Sequence, residues 1–115
     1  VPVTLSSNTA TLDWTAGNIY FIPAASSPTA DMTFNVTNLP TDNNKIMSIN
    51  VFVTQGSTGY KPSTFQIAGS GQTILWPGGT APTPTSSSGK IDIYSFSIMR
   101  TNSTWYVFAS STLNF

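Results

Sequence analysis

The chain has 115 residues, enough for one domain around one hydrophobic core. Only 7% of its residues are charged, the net charge is zero, and Lys45, Lys61, Lys90 and Arg100 are scattered, so neither a phosphate-binding track for nucleic acid nor a polybasic membrane patch is expected. Cys, His and Glu are absent, which removes disulfides, thiolate chemistry, zinc–sulfur sites and a Ser-His-Asp triad.

Apolar residues alternate with polar ones along most of the chain, and no helical spacing interrupts them. The first strand is expected over Thr9–Trp14, with Ala10, Leu12 and Trp14 on one face. Ala16-Gly17 reads as a hairpin turn into a second strand, Asn18–Ile22. Met32, Phe34 and Val36 then alternate with Asp31, Thr33, Asn35 and Thr37. Pro40 closes that strand because it cannot donate to a ladder. Thr41-Asp42-Asn43-Asn44 is turn chemistry. Lys45–Gln55 is a long strand with Met47, Ile49, Val51 and Val53 on one face; Phe52 is the apolar exception on the other. After a loop at Gly56–Ser63, short strands are expected at Thr64–Ala68 and Gln72–Trp76, joined through Gly69-Ser70-Gly71. Pro77–Gly89 is irregular. Lys90–Arg100 and Thr104–Ser110 form a hairpin turned at Thr101-Asn102-Ser103. The apolar phase slips between Ile93 and Tyr94, which predicts a β-bulge there.

About eight short strands separated by turn signals predict an all-β, antiparallel β-sandwich or jelly-roll-like single domain over residues 1–115. The first residue is Val1 rather than Met, so the chain is expected to be processed or a piece of a longer polypeptide. No run of apolar residues is long enough for a membrane helix.

Catalysis is not expected, and no catalytic, cofactor or metal site is assigned. The carboxylates are Asp13, Asp31, Asp42 and Asp92, none paired in sequence. Asp13 beside Trp14 superficially resembles a sugar site, but a solvent-facing strand-end Asp is the simpler reading. Asp92 alternates with Ile91 and Ile93 and faces away from them. The loop at Asp42 offers one carboxylate, too few for calcium. Gly69-Ser70-Gly71 lacks the Lys and helix of a phosphate loop. The aromatics remain as the binding candidates: Trp76, Tyr60, Trp14 and Trp105, in the core or a subunit interface ahead of stacking on a sugar ring.

From Phe65 onward the sequence resembles the ends of virion proteins from tailed phages, notably marine and cyanobacterial ones. The resemblance lies in the order of short features. A strand ending in Trp76 is followed by Gly78-Gly79 and Pro82-Thr83-Pro84. Then come Lys90-Ile91-Asp92-Ile93-Tyr94-Ser95-Phe96, a short turn, a strand led by Trp105, and Asn114-Phe115. It covers about the last 50 residues and carries no site residues. It implies a virion structural protein, a capsid decoration or fibre module at the particle surface, outside the cell. Such a module packs against capsid or fibre subunits as a homo-oligomer, a trimer among the options. The alternative is a lectin-like module at a fibre tip, or a cell-surface adhesin, binding a host glycan.

Overall fold

Each alternating segment becomes a strand that buries every second side chain, as the pleat dictates. A computed structural model describes residues 1–115 and contains nine strands. They are β1 (Thr9–Asp13), β2 (Ile19–Ile22), β3 (Met32–Thr37), β4 (Lys45–Thr54), β5 (Pro62–Ile67), β6 (Ser70–Gln72), β7 (Ile74–Leu75), β8 (Ile91–Thr101) and β9 (Thr104–Thr112). They make a four-stranded sheet, β1-β3-β5-β6, and a five-stranded sheet, β2-β4-β8-β9-β7. The all-β, two-sheet expectation holds.

The pairing is mixed rather than antiparallel throughout. β1–β3, β3–β5, β2–β4 and β7–β9 run parallel, while β4–β8, β8–β9 and β5–β6 run antiparallel. The cause is that the first five strands alternate between sheets, so β1, β2 and β3 each pair with the next but one. Ala16-Gly17 is therefore not a hairpin turn. A single 3-10 turn, Trp14–Ala16, capped by the Asp13 carboxylate, carries the chain from one sheet to the other.

The two inner faces meet in one cluster that includes Leu12, Phe34, Val36 and Phe65 from one sheet and Ile22, Ile49, Val51 and Phe96 from the other. Phe96 joins them: its ring lies 5.8 Å from Phe34, edge-on, and 4.8 Å from Phe65. Such aromatic pairs add to the area term that already favours burial.

β8 has no bulge. Its register with β4 and β9 is unbroken, and Asp92, Tyr94, Phe96 and Ile98 all point inward. Ile91 and Ile93 point outward, half-buried. The apparent slip arises because an Asp occupies a core position. Asp92 is 0% exposed, and four donors satisfy its oxygens. Gln55 Nε2 donates at 3.0 Å, Thr85 N at 2.8 Å, Thr85 Oγ1 at 2.6 Å and Asn114 N at 3.0 Å. Gln55 in turn donates to Tyr60 O at 2.8 Å and accepts from Tyr60 N at 3.2 Å. One carboxylate thus ties the Pro77–Gly89 segment, the 56–61 loop and the C-terminal residues to the end of β8. Gly59 is required in this cluster, because a Cβ there would fall on the Thr85 carbonyl.

Residues 68–76 also depart from the expectation. The turn sits at Ala68-Gly69, both with positive φ, and Ser70 and Gly71 belong to β6. The expected Gln72–Trp76 strand is divided, since the chain leaves the first sheet after Gln72 and enters the second at Ile74.

Three of the four sheet edges are short or covered; the fourth, the five-residue β1, has no strand on its outer side. β6 has three residues and β7 two. Val1–Val3 runs alongside β2, with Val3 N donating to Phe21 O and Phe21 N to Val1 O, both at 2.8 Å. Short or covered edges resist strand-to-strand association.

Candidate functional site

Once the inner faces are spent on the core, what remains for binding is the two outer faces and the loops. The outer face of the five-stranded sheet carries no charged residue: β2, β4, β7, β8 and β9 present only apolar, Ser, Thr, Asn and Tyr side chains there. Register places Phe21 beside Phe52, and Phe52 beside Ile93, in one row across β2, β4 and β8. At the far end of the strands Ile46 pairs with Met99 and Met99 with Tyr106, while Phe108 pairs with Leu75. The Tyr106 and Phe108 rings are stacked, 6.4 Å apart and 13° from parallel.

A polar stripe separates these two apolar patches. It contains Ser48, Asn50, Ser95, Ser97 and Ser110, and Ser95 Oγ donates to Asn50 Oδ1 at 2.6 Å. Ile46 is 66% exposed, Ile19 55% and Phe108 44%. Apolar surface grouped this way on one sheet face makes it the candidate docking surface of the molecule.

The four aromatics singled out from the sequence lie elsewhere and do not converge. Trp14, Trp76 and Trp105 are half-buried and pack against the core. Trp76 sits edge-on to Tyr94 at 6.4 Å. Arg100 lies over the Trp105 ring at 5.3 Å. Tyr60 belongs to the loop anchored by Gln55 and borders an open, hydroxyl-rich depression with Ser27, Thr29 and Thr58. Trp105 also borders a groove of ≈ 320 Å³, shared with Tyr106, Leu75, Gln72 and Thr73. This groove opens at the β7 margin of the apolar face, since Tyr106 and Leu75 line both.

The residues that make the face were missed as a group. Their signal was present: Ile19-Tyr20-Phe21-Ile22 and Trp105-Tyr106-Val107-Phe108 are apolar in both phases, where a half-buried strand alternates.

The electrostatics fit a packed scaffold. Burial pushes the Tyr20 phenol up to about 12, and the Asp13 charge adds to the shift. Its hydroxyl donates to the Asp13 carbonyl at 2.9 Å, closing the crossing between the sheets. Burial also raises Tyr94, reinforced by the charges of Asp92 and Asp31. Asp13 is lowered, first by the Thr15 hydroxyl and then by the Asn38 amide.

Comparison with protein-family models, curated proteins and solved structures found no match to this chain.

Proposed function

We propose that this chain is a structural module of a phage particle, a capsid decoration or fibre domain that works by packing against other subunits and not by catalysis. The single observation that carries the reading is the uncharged outer face of the five-stranded sheet, with its apolar patches at Phe21-Phe52-Ile93 and Tyr106-Phe108-Leu75. The resemblance of residues 65–115 to tailed-phage virion proteins supplies the setting, and a jelly-roll-like use of the two sheets belongs to the same proposal. Packing that face against a neighbour removes exposed aromatic surface from water without desolvating any charge. Weak contacts of this kind add up when many copies sit on one particle.

Electron cryo-microscopy of particles purified from the source culture tests this. The expected result is symmetric copies of the chain on a shell or fibre with Phe108 and Phe21 covered by protein. Particles that lack the chain, or carry it with that face in solvent, contradict the reading.

The groove beside Trp105 favours a second reading, a glycan-binding module. An indole next to the Gln72 amide and the Thr73 hydroxyl offers a stacking surface and hydrogen-bonding groups for a sugar. Glycan-array binding that disappears in a Trp105→Ala variant is its expected signature, and an array without a hit counts against it.

A further inference from the structure

We propose that the outer face of the five-stranded sheet is a two-fold interface between two copies of this chain. The inference rests on the assembly reading above and names the occupant of its surface.

The arrangement of the face is the argument. The apolar patches lie at opposite ends of the strands, Phe21, Phe52 and Ile93 at one end, and Ile46, Met99, Tyr106 and Phe108 with Leu75 at the other. The polar stripe runs between them through the middle of β8, the central strand. A two-fold axis lying along that stripe, in the plane between two facing sheets, sets each copy's Phe21-Phe52-Ile93 end against the other's Ile46-Met99-Tyr106 end. Both end contacts form at once, and Ser faces Ser along the axis. A two-fold interface must be self-complementary in this way. A face without charge meets its own copy without like-charge repulsion.

The face is at the small end of what an interface needs. With β2 at four residues and β7 at two, its strands at about 3.3 Å rise and 4.8 Å spacing cover about 570 Å² per copy and about 1,100 Å² in all. That lies just under the range for specific, stable protein–protein interfaces, about 1,200–2,000 Å², where weak association falls. The alternative route to a homo-oligomer, edge-to-edge strand pairing, is disfavoured at β6 and β7 by their length and at β2 by Val1–Val3, and is left to the five-residue edge of β1.

Sedimentation equilibrium of the purified chain over a wide concentration range reads the association, and a bis-maleimide cross-link between introduced thiols reads its geometry. The chain has no Cys, so a single introduced one reports alone. The wild type is expected to sediment as a reversible dimer of the 12.3 kDa chain. Phe108→Asp, at an exposed position that leaves the circular dichroism unchanged, is expected to weaken dimerisation by about 100-fold or more. Facing sheets stand about 10 Å apart, beyond the reach of a disulfide, so Ser97→Cys is expected to give a covalent dimer with a bis-maleimide that spans that gap, and Thr11→Cys on the other sheet is not.

A strictly monomeric wild type overturns the proposal. So does a dimer that Phe108→Asp leaves intact, or one trapped by Thr11→Cys and not by Ser97→Cys. The assembly reading is judged separately: a monomer whose Phe108 is covered by a different protein on the particle keeps that reading and loses only the dimer.

Discussion

On the four-stranded sheet the outward positions of β1, β3 and β5 hold Thr11, Thr33, Asn35, Thr64 and Gln66. On the five-stranded sheet the corresponding positions hold Phe21, Phe52, Ile93, Tyr106 and Phe108 on either side of the Ser and Asn stripe. The inner faces of the two sheets are alike, both aliphatic and aromatic, and both are consumed by one core. Folding needs that likeness, since each sheet must bury one side. It does not need the outer difference. A sheet face with Thr, Asn and Gln is content in water, whereas one with grouped aromatics is not. The difference between the outer faces therefore bears on what the protein does once folded.

The comparison requires a shared interior, and the largest expected effect is there. Phe96→Ala removes the ring that touches both Phe34 and Phe65, and should cost about 4 kcal/mol in chemical denaturation. A loss below about 1 kcal/mol would mean that the sheets are not held by a common core.

Asp92→Ala comes next. It leaves donors from Gln55, Thr85 and Asn114 without a partner, and about 3 kcal/mol is expected. Proteolysis should then open at the Pro77–Gly89 segment first, because the carboxylate holds it. Cleavage elsewhere first would assign the anchoring to other contacts.

The alkaline limb sharpens the picture of Tyr20 at the crossing between sheets. Its folded pKa, pushed up to about 12, lies above the ordinary phenol value of 10. The unfolded chain ionises first. The stabilisation is therefore complete below pH 10 and is lost as pH climbs toward 12. It is worth of order 2 kcal/mol. Denaturation curves at pH 9 and pH 11.5, compared with Tyr20→Phe, read this; equal pH slopes for the two proteins would contradict it.

The smallest effect on folding is the most informative about use. Phe21→Thr and Thr11→Phe exchange the characters of the two outer faces at one position each. Both should change monomer stability by less than about 1 kcal/mol. Only Phe21→Thr should weaken self-association in sedimentation.

Much of the fold was legible. The inward residues of β3 and β4, Met32, Phe34, Val36, Met47, Ile49, Val51 and Val53, follow from alternation alone. The β8–β9 hairpin follows from its turn at Thr101–Ser103. Parallel pairing was not legible, because alternation gives the buried side of a strand but not the sheet that receives it. The supposed bulge at Ile93 came from treating Asp92 as a surface residue. Its donors lie 7, 22 and 37 residues away, so nothing local in sequence announces that it is satisfied. The outer face was half legible. Phe52 stood out as an exception on β4, but only register places it beside Phe21 and Ile93. The tryptophans drew attention by size and lie half-buried against the core at separate points.

The central claim is that the outer face of the five-stranded sheet is covered when the protein is at work. Hydroxyl-radical footprinting across a concentration series tests it directly, with Met99, Tyr106 and Phe108 as reporters and Tyr60, in its separate loop, as the reference. The account predicts that the three reporters become protected together as the protein assembles while Tyr60 keeps its reactivity. Reporters that react equally in the dilute and assembled states would contradict it.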